Sequence, residues 1–167
     1  NVKELTCDSL LSNFSMVFQN VYLFHDTIRN NICFGKPDAT EEEMIDAAKK
    51  ACCHDFIMKL PEGYDTVIGE GGGSLSGGEL KRIEIAMITA RGTKLSIFDE
   101  PEAGIDLWSF NSLIKVFEKM RDEINGTILI ISHQERILDI ADKIIVIADG
   151  TVVRSEERRV GKEGRSR

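Results

Sequence analysis

The hydrophobic period of the chain changes several times, and each change marks an element. Phe14-Ser15-Met16-Val17-Phe18 is a short apolar run with β-branched and aromatic side chains, closed by polar Gln19. This predicts a buried strand with Gln19 at its carboxyl end. From Thr40 the period becomes helical: Met44, Ala47, Ala48 and Ala51 share one face, and Thr40 with Glu43 has the spacing of a capping box. A short helix is predicted from His54 to Lys59. Pro61-Glu62-Gly63-Tyr64 then breaks the pattern, and six of the ten residues from Gly69 to Gly78 are glycine, which predicts a loop that exposes its backbone.

Beyond that loop Leu80, Ile83, Ala86, Met87 and Ala90 fall on one face of a longer helix. Lys94-Leu95-Ser96-Ile97-Phe98 reads as a buried strand running into Asp99-Glu100-Pro101. A helix from Leu107 to Arg121 follows, with Leu107, Phe110, Ile114 and Phe117 inward. Then come a strand from Thr127 to Ile131, a helix from Glu135 to Ala141 and a strand from Lys143 to Ala148. Such alternation implies an α/β fold whose parallel strands are joined by crossover helices. Asp149-Gly150 predicts a tight hairpin turn into Thr151-Val152-Val153.

The 167 residues are enough for one domain with a genuine core. No run approaches the ~20 apolar residues of a membrane span, and Asn1-Val2-Lys3-Glu4 has no signal-peptide character. Any link to a membrane is therefore expected through other segments or subunits. Residues 154–167 hold six basic and three acidic side chains, leaving 15 basic and 25 acidic over the rest, a balance of −10. So acidic a body repels phosphate backbones, and no nucleic-acid partner is expected. Cys7, Cys33, Cys52 and Cys53 have neither metal-ligand nor disulfide-framework spacing and read as reduced thiols. The segment from Arg154 to Arg167 has no period and a charge opposite to the body. It resembles the translation of a sequencing adapter apart from Gly164, where cysteine is expected, and it is set aside as a non-native tail; a natural basic tail is the plainer alternative.

Three motifs carry chemistry. Adjacent acids after a buried strand, Asp99-Glu100, alternate in direction and can divide two tasks: one holding Mg²⁺ through water, the other orienting or deprotonating an attacking water. Open α/β sheets bind ligands beyond the carboxyl ends of their strands, although such a pair alone is ordinarily a solvated turn. Leu75-Ser76-Gly77-Gly78-Glu79 precedes a helix and offers a hydroxyl and unhindered N–H groups, a natural anion site. Ile130-Ile131-Ser132-His133 puts an imidazole just past a third strand, where a lone histidine is more often structural.

In order and spacing these residues resemble the ABC ATPase family over nearly all of residues 1–153. Gln19 looks like the Q-loop glutamine, Leu75 to Glu79 the signature motif, Leu95 to Glu100 the Walker B strand, Asp106 the D-loop aspartate and His133 the switch histidine. The resemblance implies a P-loop NTPase-like, mostly parallel sheet with a helical subdomain. The Q-loop, helical subdomain and signature helix would occupy about residues 20–92, and the Walker B, D-loop and switch region residues 93–153. It further implies ATP and Mg²⁺ as ligands. Asp99 would support Mg²⁺, Glu100 would act on the attacking water, Gln19 would contact both, and His133 would contact the γ-phosphate. Ser76, Gly77 and Gly78 would face ATP held by a second ATPase domain. A phosphate-cradling P-loop, G-x-x-x-x-G-K-S/T, is missing: Gly35-Lys36 and Gly161-Lys162 lack the upstream glycine and the following hydroxyl. The expectation is a chain that begins after its P-loop and is inactive alone.

Up to Glu79 the resemblance is to exporters fused to their membrane helices, through Met16 to Gln19, Leu23-Phe24, Thr27-Ile28, Phe34 to Ala39, Leu60 to Thr66 and Gly69-Glu70. From Leu80 it shifts: Leu80 to Glu84 and Asp99-Glu100-Pro101-Glu102-Ala103-Gly104-Ile105-Asp106 look more like soluble ABC ATPases of iron-sulfur assembly. The leading expectation is an exporter's nucleotide-binding domain on the cytoplasmic face of the plasma membrane. Its partners would be a second such domain and a transmembrane domain. The alternatives are a soluble iron-sulfur assembly ATPase and a non-functional chimera joined near Glu79.

Overall fold

A computed structural model describes residues 4–69, 75–124 and 126–157. The chain divides into two units, Asn1–Ser132 and His133–Arg167. The first runs α1 (Cys7–Leu11), β1 (Phe14–Val17), β2 (Asp26–Thr27), α2 (Ile28–Phe34), α3 (Glu41–Lys50) and α4 (His54–Ile57), then a 3₁₀ turn (Gly63–Asp65) and β3 (Val67–Ile68). It continues with α5 (Gly77–Arg91), β4 (Leu95–Asp99), α6 (Leu107–Glu123) and β5 (Thr127–Ile131). The second holds α7 (Glu135–Asp139), β6 (Lys143–Ala148) and β7 (Thr151–Glu157).

The first unit is organised on a parallel sheet in the order β1-β4-β5, with Val17 opposite Phe98 and Asp99 opposite Ile131. Strand alternation sends Ser15, Val17, Ser96 and Phe98 to a buried face. Phe98 meets Phe117 of α6 edge-on at 5.0 Å between ring centroids. The buried hydroxyl of Ser15 is satisfied by Thr93 at 2.8 Å. The capping box at Thr40 is present: Glu43 N–H donates to Thr40 Oγ1 at 3.2 Å, and Thr40 N–H donates to the Glu43 carboxylate at 2.9 Å. Met44, Ala47 and Ala48 face inward as their spacing predicts. The cysteines are free thiols, and burial pushes that of Cys53 up to about 12.

Two predictions of pattern need correction. α5 has no single apolar stripe: Ile83, Ile85, Ala86 and Ile88 are buried together with Lys81 and Glu84, while Leu80, Met87 and Ala90 are only half-buried. This helix contacts α2, α3, α6 and β1, so it is enclosed on several sides and periodicity loses its meaning. Leu107 of α6 is not inward but 69% exposed, because burial begins a turn later at Phe110. The hairpin predicted at Asp149-Gly150 is present, with Lys143–Ala148 pairing antiparallel with β7. The reason is local: Asp149 and Gly150 both take positive φ, 51° and 72°, the geometry of a two-residue hairpin turn. β7 continues through Glu157, past the boundary drawn at Val153. Residues 158–167 and half of the glycine-rich stretch, 70–74, lie outside the described residues. Among the described residues no helix is long and apolar enough to cross a membrane.

Candidate nucleotide site

Parallel pairing of β1 with β4 brings together two side chains 81 positions apart: Gln19 Nε2 donates to Glu100 Oε2 at 3.2 Å. Asp99 closes β4 and Glu100 follows it with φ +41°, a left-handed conformation that costs a non-glycine residue of order 1–3 kcal/mol. The Glu100 N–H donates to Ile131 O at 2.9 Å, so the end of β5 holds the strained residue in place. Gln19, Asp99 and Glu100 are therefore gathered at the carboxyl edge of the sheet, as predicted.

The signature residues sit at the N-terminus of α5. Ser76 caps it: Glu79 N–H donates to Ser76 Oγ at 3.3 Å, and the Glu79 carboxylate accepts from Ser76 N–H at 2.8 Å and from its hydroxyl at 2.9 Å. Ser76 and Glu79 thus form a capping box, a structural role that the ligand reading did not weigh. Gly77 is exposed and Gly78 is buried. A Cβ at Gly78 would lie 2.2 Å from Ser109 Cβ, so glycine is required there by the close approach of α6. Gly78→Ala is expected to cost about 1–3 kcal/mol, read as a lower urea midpoint, with Ser109→Gly restoring part of it. A midpoint equal to wild type would show that α5 and α6 do not approach this closely.

Asp106 caps α6, its Oδ1 accepting from Trp108 N–H at 2.9 Å and Ser109 N–H at 3.0 Å. Hydrogen bonds from Ser109, then that of the Trp108 amide, hold its carboxyl below the usual carboxylate range. His133 opens the second unit, two positions past the end of β5.

Other residues at this edge were not singled out by the sequence patterns. Lys81 is paired with Glu84 at 3.1 Å, their side chains 1% and 4% exposed. Lys81 Nζ also donates to Phe18 O at 2.7 Å and Gln19 O at 3.2 Å, and Glu84 Oε1 accepts from Tyr22 N–H at 3.2 Å. Burial raises the Glu84 pKa, with Lys81 opposing it. The available signal was a Lys and a Glu three apart inside an apolar helix. Asn31, fully buried, fixes the next stretch by accepting from Phe24 N–H at 2.7 Å and donating to Phe24 O at 3.0 Å and Thr27 O at 2.9 Å. Glu102 is buried and accepts from the Ser132 hydroxyl, tying the segment after β4 to that after β5.

Among the described residues no group of three or more His, Cys, Asp or Glu is placed to hold a metal. Two carboxylates and one amide oxygen at one edge are hard donors, too few for a protein cage. They fit Mg²⁺, which binds by one or two carboxylates plus nucleotide phosphates.

A parallel sheet with this acidic pair beyond its middle strand, and with a glycine-led helix alongside, is the P-loop NTPase-like fold of ABC ATPases. The chain belongs to the ABC transporter family, whose model, described as "ABC transporter", matches residues 1–103. It is similar to a protein of Bacillus subtilis (strain 168) named as a multidrug export ATP-binding/permease protein, 40% identical over 153 residues. That match takes in 92% of this chain and 26% of the relative. A likewise named protein of Staphylococcus aureus (strain NCTC 8325 / PS 47) is 39% identical over 166 residues, 98% of this chain and 28% of its own length. Among solved structures, a bacterial Atm1-family ABC exporter with ATP bound superposes with a TM-score of 0.81 at 34% identity. It covers 92% of this chain and 26% of its own. The chain thus spans about a quarter of the relatives it matches, and their alignments run through the Glu79–Leu80 position where the motif resemblance shifts. Members of this family are generally ATPases that use ATP and Mg²⁺.

Proposed function

We propose that this chain is part of the nucleotide-binding domain of an ABC exporter, in which ATP binding and hydrolysis between two such domains drive a fused or associated transmembrane domain. The observation that carries it is the meeting of Gln19 with Glu100 beside Asp99, in a chain whose relatives are named as multidrug export ATP-binding/permease proteins. Those names also favour the exporter over a soluble iron-sulfur assembly ATPase. In this reading Glu100 accepts the proton of the attacking water and Gln19 orients it. Asp99 and the Gln19 amide oxygen would hold Mg²⁺, which neutralises charge on the phosphates. By the family resemblance His133 would contact the γ-phosphate. Ser76, Gly77 and Gly78 present N–H and hydroxyl donors, set by Glu79, to ATP on the second domain, with Asp106 at the same junction. The domain lies at the cytoplasmic face of the membrane.

The chain contains no G-x-x-x-x-G-K-S/T sequence. We therefore expect the 167 residues alone to bind Mg-ATP weakly and to release phosphate at the buffer rate, while the complete protein hydrolyses it. Titration with a fluorescent ATP analogue and a phosphate-release assay check both halves. Micromolar binding by the isolated chain would overturn the first, and a complete protein without Mg²⁺-dependent hydrolysis would overturn the exporter reading.

A further inference from the structure

We infer that Lys81 and Glu84 are positioning residues that set the backbone of the Q-loop, and through it the placement of the Gln19 side chain against Glu100. The part of this inference that concerns ATP turnover rests on the function proposed above. Just beyond β1 the chain leaves the sheet, and its peptide groups lose ladder partners. Three of those groups are taken up by two side chains of α5: Phe18 O and Gln19 O accept from Lys81, and Tyr22 N–H donates to Glu84.

The network is complete on the lysine side. An ammonium has three N–H donors, and Phe18 O, Gln19 O and Glu84 Oε2 are three acceptors. Charges this deeply buried persist only when so partnered, which makes the arrangement discrete rather than loose. Gln19 itself is exposed, and its side chain would sample many rotamers on an unheld loop. With its carbonyl pinned and both flanks held, the amide reaches Glu100 at 3.2 Å. The pinning groups stand on the second turn of the helix that starts at Ser76 and Gly77, so the signature end of α5 and the Q-loop are joined by a rigid polar link. In a two-domain sandwich these motifs serve different ATP molecules, and the link makes displacement at one alter the alignment of Gln19 at the other.

The test begins with amide exchange measured by NMR on the unmodified chain. Tyr22 lies outside strands and helices, yet its N–H should be protected to the level of β4 amides; rapid exchange there overturns the inference without any variant. Lys81→Met/Glu84→Leu, which removes both charges at similar volume and strands neither, should speed Tyr22 exchange at least about tenfold. The amides of Ile85 and Ile88 should be unaffected, and Lys81→Arg should retain protection. Unchanged Tyr22 exchange in a folded double variant refutes the link. In the complete protein the double variant should lower kcat for ATP about tenfold or more with KM within about twofold, and Lys81→Arg should recover most of it. Faster exchange with unchanged kcat refutes the positioning role. Absence of hydrolysis by the wild-type complete protein counts against the proposed function instead, and leaves Tyr22 exchange to decide the link.

Discussion

Glu100→Gln is expected to lower ATP turnover of the complete protein by about 10²–10⁴-fold, the usual contribution of a general base, while Mg-ATP binding is retained. The substitution preserves shape: the Glu100 N–H still reaches Ile131 O, and glutamine can still meet Gln19. It removes only the ability to take a proton. Glu100 takes its φ of +41° where β4 gives way to a turn, its N–H on Ile131 O and its carbonyl accepting from Ala103 N–H, and strain of this kind fits a position that carries chemistry. Phosphate release and equilibrium ATP binding measured on one preparation check the expectation. Turnover within about threefold of wild type would show that the proton goes elsewhere, whereas loss of binding as well would indicate a damaged fold.

Phe98→Ala is expected to have the largest effect on stability, a loss of about 3–5 kcal/mol. Phe98 is fully buried in the middle strand, faces Phe117 of α6 at 5.0 Å and pairs with Val17 across β1. Truncation opens a cavity between sheet and helix that neighbours on three elements cannot close together. For a domain whose whole stability is roughly 5–15 kcal/mol, this is a large share. Because Phe98 immediately precedes Asp99 and Glu100, whatever remains folded should also align the acids poorly. Urea denaturation followed by circular dichroism gives the midpoint, and Phe98→Leu should lose clearly less. A wild-type midpoint for Phe98→Ala would mean that β4 does not anchor the core.

The elements that were legible in the sequence are those whose signals are local. Thr40 and Glu43 lie three apart and cap each other within one turn. Asp149-Gly150 makes its own hairpin, and the apolar run before Asp99-Glu100 becomes β4. Periodicity misread α5 because it measures one-sided burial, and α5 is enclosed by helices and sheet together. Leu107 illustrates the opposite error, an apolar residue on the expected face but a turn short of anything to pack against.

The candidate site divides in the same way. Residue types and spacing singled out the Ser76–Glu79 segment, Asp99, Glu100 and His133, because strand ends and helix starts are where a chain can present donors and acids, and the family resemblance added Gln19 and Asp106. Only the tertiary structure placed Gln19 against Glu100 across 81 residues, required glycine at 78 because Ser109 stands beside it, and put Lys81 and Glu84 into the interior as the support of the Q-loop. Spacing along the chain determines which groups one turn or one strand end can offer. Which of them meet depends on strand register and helix approach, and these are settled by burial of side chains far away in sequence.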